Sequence, residues 1–251
     1  MYLDKKSGEK FYHPVSLCWE VLALLGSFEQ NHDQMYLDSA IRHANKLADV
    51  GEYHEGALWF PYRFDYAMNH DPAMALPNPW YSGMAQGMAL SVFSWLHEIT
   101  GENSWRKLAD AAFKSFDHSV SEVSTESPWF VYSPDSETVW FEEYPGTGEP
   151  SHVINGHIYA AFGLIDYYRI THNVEAAKLF SSAAQTVSRA FNDYRFENGA
   201  SYYCAAEYCK DQDMRPGTYH TGVIHQLGVL ARTTGKWEFS LQADQLRADQ
   251  P

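Results

Sequence analysis

The chain is poor in cysteine and in basic side chains. Its 251 residues include 3 cysteines, and 32 acidic against 18 basic side chains give a net charge of −14. Cys18, Cys204 and Cys209 are too few and too scattered for a disulfide framework or a strong zinc signature. Cys204 and Cys209 can pair at their spacing, but reduced thiols are the favoured expectation.

Long apolar stretches are also absent. No uninterrupted apolar run is long enough to cross a bilayer, and the opening MYLDKKSGEK lacks the apolar core of a signal peptide. The negative charge argues against nonspecific binding to nucleic acid or to an anionic membrane. We therefore expect a soluble, cytoplasmic protein without nucleic-acid or membrane partners, folded as one domain over residues 1–251.

Aromatic residues, in contrast, are abundant. They make up 16% of the chain, with 17 tyrosines and 8 tryptophans. Aromatic faces with polar tips suit sugar rings, and they also suit protein cores and interfaces. The composition is therefore compatible with a glycan site without establishing one.

The chain repeats a pattern of two helices and an extended segment. Helical apolar spacing at residues 13–28 is followed by a polar break and a second helical stretch, and then by a glycine-rich and aromatic stretch that favours a hairpin. The order recurs with a period of roughly 70 residues, which gives four helical pairs, three of them followed by an insertion.

One helix of each pair is broadly apolar, and its partner has a single apolar stripe. This difference indicates an inner and an outer helix. We predict a mainly α fold, an incomplete α/α toroid of about four helical hairpins, with β-hairpin insertions forming a cleft at one end. A helical bundle or a solenoid is the alternative.

The segment PWYSGMAQGMALS (79–91) combines aromatics with a smooth helix face. Trp80 and Tyr81 precede a helix that opens at Ser82. Gly83 and Gly87 are four residues apart, which favours a tight packing contact. Gln86 is a polar amide on an apolar inner helix and therefore needs hydrogen-bond partners.

The segment WFEEYPG (140–146) holds two adjacent carboxylates, Glu142 and Glu143, between aromatic residues. Adjacent acids are usually solvated. Here the flanking aromatics make the backbone hard to expose, so we expect at least one glutamate to be partly buried. Burial raises the pKa of a carboxyl group toward the range that suits general acid–base catalysis.

The third segment, GTYHTGVIHQL (217–227), opens a helix with Tyr219 and His220. His220 and His225 are five residues apart and do not share a helical face, so we predict no metal site here.

These three segments, with HVINGHIYAAFGLIDYY (152–168) after the second, resemble in order and spacing the C-terminal catalytic domain of the D-glucuronyl C5-epimerases. Those enzymes convert D-glucuronate to L-iduronate within heparan sulfate or heparosan. The likeness covers roughly residues 80–230, and the chain looks like a short bacterial-type form.

The resemblance implies epimerisation by proton abstraction at C5 and reprotonation on the opposite face, without a cofactor and within a homodimer. By motif position it assigns catalytic roles to Glu143, Tyr144 and Tyr219. A further family tyrosine follows a glycine-rich turn; Tyr202 and Tyr203 are both candidates, and Tyr202 is preferred from its distance to Gly199. The residues expected to bind substrate beside them are Trp80, Tyr81, Gln86, Glu142, Asn155 and His220.

The charge of −14 opposes a polyanionic, heparosan-like substrate unless basic groups are focused at the cleft. Arg63 and Arg215 lie in insertions and are candidates for the substrate carboxylate, although both can equally serve surface solubility. The charge also favours an unsulfated polymer. A uronate lyase, a hydrolase that pairs a glutamate with a carboxylate such as Asp65, and an inactive glycan-binding module are the alternatives.

Overall fold

The computed structural model describes residues 1–3, 8–76, 78–123, 128–146 and 148–250. Of the extended segment predicted to begin at Ser127, only residues from Pro128 onward are described. The helices are α1 (Pro14–Asn31), α2 (Gln34–Val50), α3 (Gly83–Thr100), α4 (Asn103–Phe113), α5 (Ile154–Thr171), α6 (Val174–Arg189), α7 (Phe191–Tyr194), α8 (Glu207–Asp211), α9 (Gly217–Thr234) and α10 (Trp237–Asp249).

Strands are short and lie between the helical pairs. Three 3-10 turns accompany them, at Met68–His70, Pro72–Met74 and Lys114–Asp117. The strands are β1 (Tyr2–Leu3), β2 (Lys10–Phe11), β3 (Glu52–His54), β4 (Ala57–Trp59), β5 (Pro61–Tyr62), β6 (Tyr66–Ala67), β7 (Ala75–Leu76), β8 (Trp80–Tyr81), β9 (Ser119–Val120), β10 (Val131–Tyr132) and β11 (Trp140–Phe141).

Four antiparallel helical hairpins form the body of the protein. The pairs are α1–α2, α3–α4, α5–α6 and α9–α10, and the first member of each pair packs on the first members of its neighbours in the order α1, α3, α5, α9. The helix α3 buries 13 of its 18 residues, whereas its partner α4 buries 4 of 11. The predicted division into inner and outer helices is therefore confirmed, as is the α/α toroid architecture.

Local sequence explains where the helices begin and end. The side chain of Ser82 accepts from the amide of Ala85 at the start of α3, and Asn173 caps α6 in the same way. Gly101 and Gly235 end α3 and α9 in the left-handed conformation, which suits glycine because it has no Cβ.

Two insertions contain the predicted hairpins. The strands β3 and β4 pair antiparallel around a turn at 55–56, and β10 pairs antiparallel with β11 and parallel with β9. Sheets β5–β8 and β6–β7 complete the first insertion. The third insertion differs from the prediction: it contains an isolated bridge between Val153 and Cys204 and the short helix α8 rather than a hairpin.

The expectation of reduced thiols at Cys204 and Cys209 was wrong, because these residues form a disulfide with a Cα–Cα distance of 5.6 Å. Sequence spacing carried no information on the turn of α8, which brings the two side chains together. Cys18 is free and buried. Disulfides persist mainly in oxidising compartments, so this pair weighs against the predicted cytoplasmic location.

Within the described residues, no helix combines the length and the apolar character that a membrane span requires.

The inner helices α3 and α5 touch backbone to backbone. A Cβ added to Gly87 would lie 2.2 Å from the Cα of Ala160, and one added to Gly163 would lie 2.1 Å from the carbonyl oxygen of Gly87. No side chain fits between the helices at this level. The predicted packing role of Gly87 is therefore confirmed.

We predict that Gly87→Ala destabilises the fold by about 2 kcal/mol or more, because the new methyl group collides with the rigid backbone of α5. Gly228→Ala is the matched control: it is also an inner-helix glycine, but its added Cβ would meet only Arg232 Nη1, at 3.7 Å. Urea unfolding of both variants measures the difference. Equal stability of the two variants would contradict the close contact.

Candidate functional site

A cavity of about 360 Å³ lies where the N-terminal ends of the inner helices meet. The second residue of every inner helix lines it, namely Val15, Met84, Asn155 and Thr218. Because each inner helix contributes the residue at the same position, the cavity lies at the centre of the incomplete ring of inner helices. The remaining lining residues are His13, Trp19, Glu143, Tyr144, Tyr159, Tyr219, Gly222 and Gln226.

Glu143 is the acidic residue of this cavity and is 8% exposed. Its burial raises its pKa from an ordinary 4.5 to about 7; the charge of Glu142 adds to this effect, and hydrogen bonding by Tyr144 and Tyr203 opposes it. Oε2 of Glu143 is buried without a hydrogen-bond partner. It lies against Gly156, where an added Cβ would be 2.2 Å away, so the absence of a side chain there makes room for the carboxyl group.

Glu142 is fully buried but has a different environment. Its carboxylate accepts from the amide and hydroxyl of Ser151, both at 3.1 Å, and from Nδ1 of His152 at 2.6 Å. Burial alone would raise the pKa of Glu142, but His152 and these hydrogen bonds hold it below its ordinary value. Glu142 therefore fixes the loop after β11 and does not line the cavity.

Tyrosines surround Glu143. The hydroxyl groups of Tyr144 and Tyr203 are 3.2 Å apart, and the ring of Tyr203 meets that of Tyr219 edge to face at 4.8 Å. Burial, and then the negative charge of Glu143, raise the pKa of all three tyrosines. They are therefore neutral hydrogen-bond donors at physiological pH.

The structure brings Tyr203 to this cluster rather than the predicted Tyr202. The ring of Tyr202 instead meets Phe196, at 5.6 Å. The two neighbouring tyrosines thus have different surroundings, and only Tyr203 contacts the other tyrosines beside Glu143. The sequence held no signal that distinguished the two tyrosines.

Gln86 and His220, two other predicted binding residues, form hydrogen bonds within the protein, and His157 does the same. We call these three side chains braces, because each connects an insertion to another part of the fold. The fourth residue of α3, α5 and α9 is Gln86, His157 and His220 respectively. Gln86 accepts from the amide of Phe60 at 2.8 Å and donates to Ser115 Oγ, also at 2.8 Å, on the outer side. These hydrogen bonds satisfy the need of Gln86 that the sequence indicated.

The two histidines repeat this arrangement. Nδ1 of His157 accepts from the amide of Phe141 at 2.9 Å, and its Nε2 donates to Ala183 of α6 at 3.0 Å. His220 links the amide of Ser201 to Leu246 of α10 at the same two distances. His220 therefore connects an insertion to the outer helix α10, and Gln86 connects one to the 3-10 turn that follows α4. Neither side chain lines the cavity.

Trp80 and Tyr81 lie behind the cavity wall. Trp80 stacks on Tyr62 with a centroid distance of 3.9 Å, and its Nε1 donates to Phe64. The hydroxyl of Tyr81 donates to Glu52. The ring centroid of Trp80 lies 6.1 Å from that of Tyr144, which lines the cavity, so Trp80 supports this tyrosine.

Neither predicted arginine lines the cavity. Arg63 pairs with Glu52 at 2.5 Å and borders a separate cavity of about 330 Å³, and Arg215 pairs with Asp213 at 2.5 Å. No lysine or arginine is present among the described residues that line the cavity around Glu143. Placement in insertions was therefore too weak a signal to locate a carboxylate-binding group.

Sequence reasoning missed the contribution of the first hairpin. Trp19 of α1 is 43% exposed, lines the cavity and meets Tyr159 edge to face at 4.9 Å. A large aromatic residue on an inner helix was the available signal. His13 also lines the cavity, and burial lowers its pKa to about 4.

Within the described ranges, no group of three or more His, Cys, Asp or Glu side chains is arranged to hold a metal ion.

Solved structures with similar architecture are found by comparison of the fold. A GH76 α-mannanase of Bacteroides thetaiotaomicron matches with a TM-score of 0.61 at 11% identity, over 96% of this chain and 58% of that chain. A cellobiose 2-epimerase of Bacillus thermoamylovorans matches with a TM-score of 0.58 at 14% identity, over 94% and 58% respectively. These identities establish the fold alone.

Residues 54–247 match the family model described as the D-glucuronyl C5-epimerase C-terminus, and the chain belongs to this family. A D-glucuronyl C5-epimerase of Caenorhabditis elegans is 27% identical over an alignment of 141 positions, and the match covers 51% of this chain. The match spans 22% of the length of that relative.

The opposite pKa shifts of the two glutamates predict opposite responses to substitution. Folded Glu143 keeps its proton up to about pH 7, so stability falls as pH rises from 4.5 to 7 and the full cost, on the order of 3 kcal/mol, persists above that window. Glu143→Gln should therefore raise the unfolding temperature at pH 8, and this shift should be more positive than the shift that the same substitution causes at pH 4.

Glu142→Gln is the matched control. The lowered pKa of Glu142 means that its ionised carboxylate is more stable in the folded protein than in the unfolded chain. This stabilisation is present at pH values above the ordinary pKa of glutamate, so removing the charge should lower the unfolding temperature at pH 8. Calorimetry of both variants at the two pH values measures this contrast. Shifts of the same sign at pH 8 would refute the assignment of the two environments.

Proposed function

We propose that this chain epimerises D-glucuronate to L-iduronate at C5 within an unsulfated, heparosan-type polysaccharide, and that it acts as a homodimer. The observation that carries the proposal is Glu143: a buried carboxyl group with a pKa of about 7, in a cavity shared with tyrosine hydroxyls. Membership of the C5-epimerase family supports the same reaction.

The proposed reaction begins with Glu143 as the base. The C5–H bond breaks, its proton goes to Glu143, and its electron pair moves into the adjacent C6 carboxylate to give an enediolate. Tyr144, Tyr203 and Tyr219 are neutral donors that can stabilise the developing charge, because their raised pKa values keep them protonated.

Inversion is completed when a tyrosine hydroxyl donates a proton to the opposite face of C5. The resulting tyrosinate recovers a proton from Glu143. The contact of 3.2 Å between the hydroxyls of Tyr144 and Tyr203, beside Glu143, supports such a return path. Retention of the glycosidic bond separates this reaction from the elimination that a lyase would complete.

The first test is incubation with heparosan in deuterated buffer, followed by NMR. We expect deuterium at C5, iduronate signals and unchanged chain length. Shortened chains with unsaturated ends would indicate a lyase and contradict the proposal, as would the absence of exchange.

The exchange rate should depend on pH through the base. Because only ionised Glu143 can abstract the proton, kcat/KM should rise about tenfold per pH unit below pH 7 and level off above it. A pH profile that falls through this range would exclude Glu143 as the base for glucuronate.

Tyr203→Phe and Tyr202→Phe form a matched pair that tests the choice between neighbouring tyrosines. The first should lower kcat on the order of 100-fold or more, because it removes a hydroxyl beside Glu143. The second should leave kcat within about threefold, because Tyr202 packs on Phe196. Equal losses would contradict this distinction.

A further inference from the structure

Three residues that line the cavity each have a buried acceptor atom without a hydrogen-bond partner. These atoms are Oε2 of Glu143, Oδ1 of Asn155 and Oε1 of Gln226. The side chains are 8%, 6% and 1% exposed, respectively, and all three residues line the same cavity. A buried polar atom without a partner is costly, so three such atoms on residues that line one cavity point to a ligand that supplies donors.

The orientation of Gln226 follows from its contacts. Its Nε2 donates to the backbone carbonyl of Asn155 at 3.0 Å. A carbonyl group can only accept, so the nitrogen of the amide must face it and the oxygen must remain free. The contact also links α9 to the first turn of α5, which carries Asn155.

The cavity favours hydroxyl groups over a carboxylate at this position. Amide oxygens repel a carboxylate, and the described lining residues include no lysine or arginine that would offset the repulsion. A sugar hydroxyl, in contrast, donates one hydrogen bond to each amide oxygen without introducing charge beside Glu143.

We propose that the side-chain carbonyls of Asn155 and Gln226 form a hydroxyl-binding subsite, which holds the ring hydroxyls of the reacting glucuronate. This inference rests on the proposed function for the identity of the sugar. The subsite orients the pyranose by its neutral edge and leaves its carboxylate to the tyrosine hydroxyls. Gln226 was not among the substrate-binding residues that the sequence predicted, whereas Asn155 was.

The test measures binding separately from turnover. A heparosan hexasaccharide is titrated by calorimetry into Glu143→Gln protein, with and without Gln226→Met or Asn155→Leu. Each added substitution should weaken binding about tenfold, because it removes an acceptor while keeping a side chain of similar size. Unchanged affinity in both would overturn the subsite, whereas failure of wild-type protein to exchange C5–H would overturn only the proposed function.

Gln86→Met is the matched control for a buried glutamine. Gln86 makes three internal hydrogen bonds, to Phe60, Leu58 and Ser115, and it is not a lining residue of this cavity. Its substitution should lower the unfolding temperature more than Gln226→Met does, while the hexasaccharide affinity stays within about twofold. If Gln86→Met weakened binding as much as Gln226→Met, the effect would be structural and the proposal would fail.

A methylated ligand identifies the bonded group. Methylation of the two free glucuronate hydroxyls should weaken binding to the Glu143→Gln protein. In the protein that also carries Gln226→Met, methylation should weaken binding little further, because the two changes remove the same hydrogen bond. Independent, additive losses would refute the contact.

Replacement of sodium and potassium by choline tests a cation as the occupant of the subsite. A loss of hexasaccharide affinity as large as that caused by Gln226→Met would overturn the proposal.

Discussion

The backbone contact between α3 and α5 is the constraint on which the cavity depends. Gly87, Ala160 and Gly163 bring the two most buried inner helices into direct contact. One turn earlier, the amide of Gly83 donates to the carbonyl of Glu142 at 2.7 Å. The helix that sets the packing distance thus also holds the peptide that precedes Glu143, and a wider separation would displace the carboxyl group from its partners.

Two adjacent glutamates of the same loop have opposite protonation behaviour because their surroundings differ. Glu142 receives several hydrogen bonds and stays ionised, whereas Glu143 has an unpartnered oxygen and a pKa of about 7. The charge of Glu142 itself contributes to the rise in the pKa of Glu143. The loop therefore sacrifices stability at one carboxyl group to keep a proton acceptor available near neutral pH, and it recovers part of that stability at the neighbour.

Periodicity and motif order predicted the helical hairpins, the two-layer division and the burial of a glutamate, because these features follow from local pattern. They could not determine features that depend on tertiary contacts. The choice between Tyr202 and Tyr203 depends on the face of one extended segment, and the pairing of Cys204 with Cys209 depends on a short helical turn. The polar character of His220 and Gln86 was evident, but whether such a side chain faces a ligand or the backbone is set by neighbouring insertions.

The repeated brace at the fourth residue of α3, α5 and α9 separates two parts of each insertion. The peptides at Phe60, Phe141 and Ser201 are tied to an inner helix by a side chain, and the same side chain reaches the outer layer. Loop segments farther from these three peptides can vary in length without displacing Glu143 or the tyrosines. The scaffold can thus accept changes in its outer loops around an unchanged cavity.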